Sequence, residues 1–148
     1  MDKSDDHILK LVRDIFPRIP YGLLVEWNGF RGKVINVGIL PRYGYDCDNI
    51  TSYLCWVDFF SDNDCIDIEQ FKPVLRPLDD MFPGEKIEYE QYKSDIINSS
   101  CSIDAFKRLK VFLDSHMLDY NGLIDDDLAI PAEKDTYPFI YQYENKNQ

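Results

Sequence analysis

Leu23-Leu24-Val25-Glu26-Trp27-Asn28-Gly29-Phe30-Arg31-Gly32-Lys33-Val34-Ile35 is the stretch that decides the fold class. Two largely apolar runs flank Asn28-Gly29, the dipeptide that best accepts the two positive φ angles of a type I′ turn. Closing the turn there pairs Trp27 with Phe30, Val25 with Gly32 and Leu23 with Val34 on one face. Glu26 then falls opposite Arg31 on the other face, an attractive cross-strand pair. Register, turn chemistry and charge agree on a β-hairpin.

Working outward, further strands are expected at 53–59 and 65–68, with Ser61-Asp62-Asn63-Asp64 as the turn between them. Phe71 to Leu78 contains Pro73 and Pro77, which restrict it to an edge strand or an extended segment over the sheet. Upstream, Ile8, Leu11, Val12 and Ile15 form one helical stripe behind the capping residue Ser4. Pro17 and Pro20 stop that helix, placing it from about Asp5 to Phe16. Downstream, a helix is expected around Tyr89 to Ile97. A second is capped by Ser102, with Ile103, Phe106, Leu109, Leu113 and Met117 as its apolar stripe, and Asn121-Gly122 ends the helical region. The expected fold is one α+β domain: a small curled antiparallel sheet of four or five strands, with an N-terminal helix and a C-terminal helical part packed on it. Residues 1–20 supply the first helix, 21–80 the sheet, 84–135 the helical part and 136–148 a tail.

The 148 residues are 45% hydrophobic and 14% aromatic, ample material for one core, and the net charge is -11. That sign opposes direct binding to nucleic acid or to an anionic membrane. Met1 to Asp6 is charged and unlike a signal peptide, and no apolar run is long enough to span a bilayer. Cys47, Cys55, Cys65 and Cys101 form no C-x-x-C pair and have only His7 and His116 to help them, so four reduced thiols and no metal are expected. No cofactor motif is present and no cofactor is expected.

The acidic excess is uneven. Residues 43–71 carry seven acids and no Lys or Arg, and 111–148 carry eight acids against two bases. The first block holds the candidate partner-binding residues Asp46, Asp48, Asp62, Asp64, Asp67 and Glu69, which call for a protein partner with a basic surface. As a calcium loop, the Asp62 stretch lacks the glycine and glutamate that an EF-hand needs at its sixth and twelfth positions. Asp125-Asp126-Asp127 reads as a solvated turn. His116 stands beside Ser115, but no nucleophile motif surrounds it, and no catalytic residue is assigned.

Three stretches carry a resemblance: Ile19-Pro20-Tyr21-Gly22-Leu23, Phe71-Lys72-Pro73-Val74-Leu75-Arg76-Pro77-Leu78-Asp79-Asp80-Met81, and Gly122-Leu123-Ile124-Asp125-Asp126-Asp127-Leu128-Ala129-Ile130. Together they resemble the P-Y-G-L, K-P-x-L-R-P-L-S-x-M and G-L-I-x-x-G-L-A-I segments of small uncharacterised proteins from phages and prophages of gut anaerobes. Asp79-Asp80 and Asp127 depart from the commoner Ser and Gly. The resemblance implies a mobile-element origin and the cytoplasm of a bacterial host, and it brings no catalytic residues. Bottom-up, Pro73 and Pro77 stiffen a crossing segment, Gly22 and Gly122 permit positive φ, and Arg76 is expected to reach a carboxylate or backbone carbonyls across the domain. Three classes of function follow: a phage-type accessory protein acting as a non-catalytic protein-binding module, an acidic DNA-mimic inhibitor of a nucleic-acid-binding host protein, and a hydrolase of unrecognised type.

Overall fold

The computed structural model describes residues 5–43, 49–59, 62–98 and 103–143. Its hairpin is the expected one. Strands β1 (Leu24–Trp27) and β2 (Phe30–Tyr43) pair with Trp27 opposite Phe30, Glu26 opposite Arg31 and Val25 opposite Gly32. Asn28 and Gly29 take φ of 52° and 81°, the left-handed pair that a type I′ turn demands. The Val34 N–H donates to the Leu23 carbonyl at 3.0 Å, which extends the register past β1.

β2 runs well beyond Ile35 and forms the longest ladder in the fold with β3 (Asn49–Phe59). A bulge between Val34 and Asn36 inserts Ile35, so the ladder changes register where the strand leaves the hairpin. Gly38 lets the Trp56 ring lie against the backbone, since a Cβ built there would stand 2.9 Å from that ring. β4 (Asp62–Asp67) pairs antiparallel with β3. The expected turn at 62–64 is therefore strand: Asp62, Asn63 and Asp64 pair with Phe59, Asp58 and Val57.

The sheet has six strands in the order β4-β3-β2-β1-β5-β6 and does not close. It is mixed, because β5 (Lys72–Leu75) pairs antiparallel with β1 and parallel with β6 (Ile130–Pro131). β5 is thus second from the edge, where the two prolines had suggested an edge strand or an extended segment over the sheet. Pro73 fits because β6 pairs only from Val74 onward, leaving that side of the proline without a partner strand.

Helix α1 (Asp5–Ile15) buries Leu11 and Ile15 against this sheet, and Phe16–Tyr21 continues as a 3-10 helix through both prolines to a left-handed Gly22. Helices α2 (Pro83–Asn98) and α3 (Ile103–Ser115) pack together around a second, smaller core. Phe112, Leu113 and Leu118 are its buried centre, flanked by Leu78, Met81, Tyr89 and Tyr92. The expected α3 stripe holds only in its second half. Leu113 and Met117 are buried, whereas Ile103 and Phe106 are exposed and Ala105 and Phe112 face inward. Nor does the helix reach Asn121-Gly122. It stops after Ser115 in a Schellman motif, with Leu118 N–H on the Leu113 carbonyl and Met117 N–H on the Asp114 carbonyl. Met117 holds the left-handed position, φ 55°, that glycine usually fills.

After a tight turn the chain returns to the sheet as β6. Tyr137 and Ile140 then enter the main core rather than a tail. The Tyr137 hydroxyl donates to the Val74 carbonyl at 2.6 Å and accepts the Leu24 N–H at 3.1 Å, tying β5 to β1. Burial pushes the ionisation of this phenol up, so it remains a donor throughout the physiological range. Two of the stretches that carry the resemblance meet here, since Val74 pairs with Ile130, and the strand that follows the first stretch pairs with the second, Val25 with Pro73.

Candidate functional site

The described part of the acidic block forms β3 and the terminal strand β4. β4 is hydrogen-bonded to β3 on one side and is the terminal strand on the other. Asp64 is exposed, whereas Asp67 and Glu69 are half-buried where β4 ends. The Asp67 Oδ1 accepts the Glu69 N–H at 3.0 Å, an Asx turn that ends the strand. Asp62 belongs to β4 through its backbone pairing, and Asp46 and Asp48 lie outside the described residues. Among the described residues no three His, Cys, Asp or Glu side chains gather as metal ligands would. Of the two described cysteines in the block, Cys65 is exposed. Cys55 is buried, and burial, with smaller contributions from Cys65 and Asp67, pushes its thiol up to about 12. Such a thiol is inert.

A second cluster forms where β5 leaves the sheet. Arg76 crosses the junction as its apolar flanks suggested, and its guanidinium grips both oxygens of Glu85 at 2.7 Å. It also donates to the His116 carbonyl at 3.1 Å and the Asp80 carbonyl at 3.3 Å. The His116 Nδ1 stands 2.7 Å from the Glu85 Oε2. All three side chains are buried.

Local sequence explains Glu85. Pro83 occupies the first helical position of α2, so Glu85 is the third, and its carboxylate reaches back to the Phe82 N–H at 2.9 Å, as the acid of a capping box does. Burial alone would raise its pKa. The hydrogen bonds from Arg76, His116 and the Phe82 N–H outweigh that and hold the carboxyl down at about 2.

Chemically, a carboxylate against an imidazole is the arrangement that orients a general base. Here, however, the carboxylate's two oxygens are already spanned by Arg76, and the neighbouring Ser115 hydroxyl donates back to the Phe112 carbonyl at 3.2 Å. One carboxylate thereby joins the end of β5, the start of α2 and the end of α3. The backbone follows, with Arg76 N–H on the Met117 carbonyl at 2.7 Å and Asp119 N–H on the Arg76 carbonyl at 2.9 Å. Sequence reasoning found Arg76, weighed His116 without giving it a partner, and passed over Glu85. Pro83, two residues upstream, was the available signal for Glu85, and nothing local marks His116.

A second buried cluster ties α1 to the end of α3. Arg18 is fully buried and donates to Asp14 Oδ1 at 2.9 Å and to the Leu118 carbonyl at 2.7 Å. Asn121 also donates to that Asp14 oxygen, while the other, Oδ2, has no hydrogen-bond partner. Burial therefore raises the Asp14 pKa despite Arg18.

No described helix is long and apolar enough to cross a membrane. Compared with protein-family models, with curated proteins and with solved structures, the chain matches none.

Proposed function

We propose that this chain is a non-catalytic protein-binding module that meets a basic surface of its partner through the acidic open edge of the sheet. The observation that carries the reading is the position of β4. A strand made of Asp62-Asn63-Asp64-Cys65-Ile66-Asp67 ends the sheet, inside a 29-residue block without Lys or Arg. A terminal strand offers backbone donors and acceptors to an added strand, and its carboxylates repel a second copy of itself while attracting cationic side chains. A phage-type accessory role in a bacterial cytoplasm is the setting that the resemblance supplies.

The test is capture of partners from bacterial lysate by the wild-type chain and by a variant with Asp46, Asp48, Asp62 and Asp64 all changed to Asn. The expected result is a captured protein with a basic surface, released by moderate salt and lost with the folded variant. Unchanged capture by a folded variant would reduce the block to a solvated face. Release of the partner by added DNA would move the reading to the DNA-mimic class.

A further inference from the structure

Away from the acidic edge, α2 and α3 line an open groove of about 390 Å³, a volume that could seat a small molecule. Its floor is aromatic, with Phe112 buried and Tyr92 half-buried, their rings 5.4 Å apart between centroids. His116 closes one end, its ring 4.3 Å from that of Phe112 and its Nδ1 held by Glu85. On the α3 wall stand Lys107 and Arg108, both exposed. Neither forms an ion pair among the described residues, in a chain whose acids outnumber its bases 27 to 16. Lys110, on the same helix, is by contrast bound to Asp114 at 2.9 Å. Glu88 lines the α2 wall and pairs with neither cation.

We infer that this cleft binds a small aromatic anion, its ring against Tyr92 and Phe112 and its carboxylate or phosphate head at Lys107 and Arg108. Aromatic faces supply area and the cations supply the charge contact. Glu88 opposes the anion across the cleft and limits affinity for a highly charged head.

The test titrates phenyl phosphate, phenylacetate and inorganic phosphate into the full chain and follows backbone amide resonances. Saturable shifts of the Tyr92, Val111 and Ser115 amides are expected with phenyl phosphate or phenylacetate, and the better of the two identifies the head group. Changing Lys107 and Arg108 together to Gln is expected to weaken binding several-fold, to about tenfold, the loss of two exposed charge contacts. E88Q is expected to tighten it, and K33Q, remote from the cleft, to leave it unchanged. The inference fails if the aromatic probes give no saturable shift at millimolar concentration. It also fails if inorganic phosphate binds as well as they do, or if the folded double variant binds like the wild type.

Discussion

At the scale of single residues, Glu85 has the clearest consequence. Its carboxyl sits near 2 in the folded chain against an ordinary 4.5. A depressed acid stabilises the fold at pH values above its unfolded pKa, and that stabilisation is lost as pH falls from about 4.5 toward 2. The linkage is on the order of 3 kcal/mol. E85Q should lose stability of about that size at neutral pH and show a flatter urea midpoint across the acid window. An equally steep acid profile in the variant would assign the effect to other carboxylates. Asp127 presents the opposite case. It holds φ 57°, and its contact to Lys72, 2.8 Å long, is solvent-exposed. D127G should therefore gain about 0.5–1 kcal/mol by relieving the left-handed backbone, with little loss from the ion pair. A fall in urea midpoint would show that the ion pair outweighs the strain.

At the scale of elements, the β2–β3 ladder depends on one missing side chain. With the Trp56 ring against Gly38, G38A must displace the indole or the strand, an overpacking cost of about 1–3 kcal/mol. Denaturant unfolding and the near-ultraviolet tryptophan signal would register both parts. An unchanged spectrum with unchanged stability would mean that the contact yields freely. The helices show how local pattern and burial part company. The spacing of Ile103, Phe106, Leu109 and Leu113 is a sound helical stripe, and the helix is there. Its inner face is nonetheless turned toward Ala105 and Phe112, because Tyr89 of α2 stacks on Phe112 and Tyr92 packs against it at a tilt. The helix period was readable; the rotation depended on a neighbour whose own sequence mixes periods.

At the scale of the molecule, two buried charge clusters join the sheet core to the α2–α3 core. Arg18 anchors α1 to the end of α3, and Arg76 anchors β5 to both helices. R18M leaves Asp14 buried without its cation, and breaking a buried pair in this way costs about 3–5 kcal/mol. Because both cores share these anchors, the wild type is expected to unfold in one calorimetric transition, and proteolysis at Pro83-Gly84 is expected to yield no two stable fragments. Two resolved transitions would favour independently folding halves.

The hairpin at Asn28-Gly29, the first helix and the α+β class are legible along the chain, because turn chemistry and periodicity act between neighbouring residues. The sequence also located the acidic block and singled out Arg76. That Asp62 to Asp64 belong to the terminal strand follows from folding alone, since whether a polar run turns or pairs depends on the strand laid beside it. The same holds for β5, whose prolines are accommodated by where β6 begins. His116 met Glu85 across 31 residues for the same reason: a contact made by folding leaves no local spacing to read.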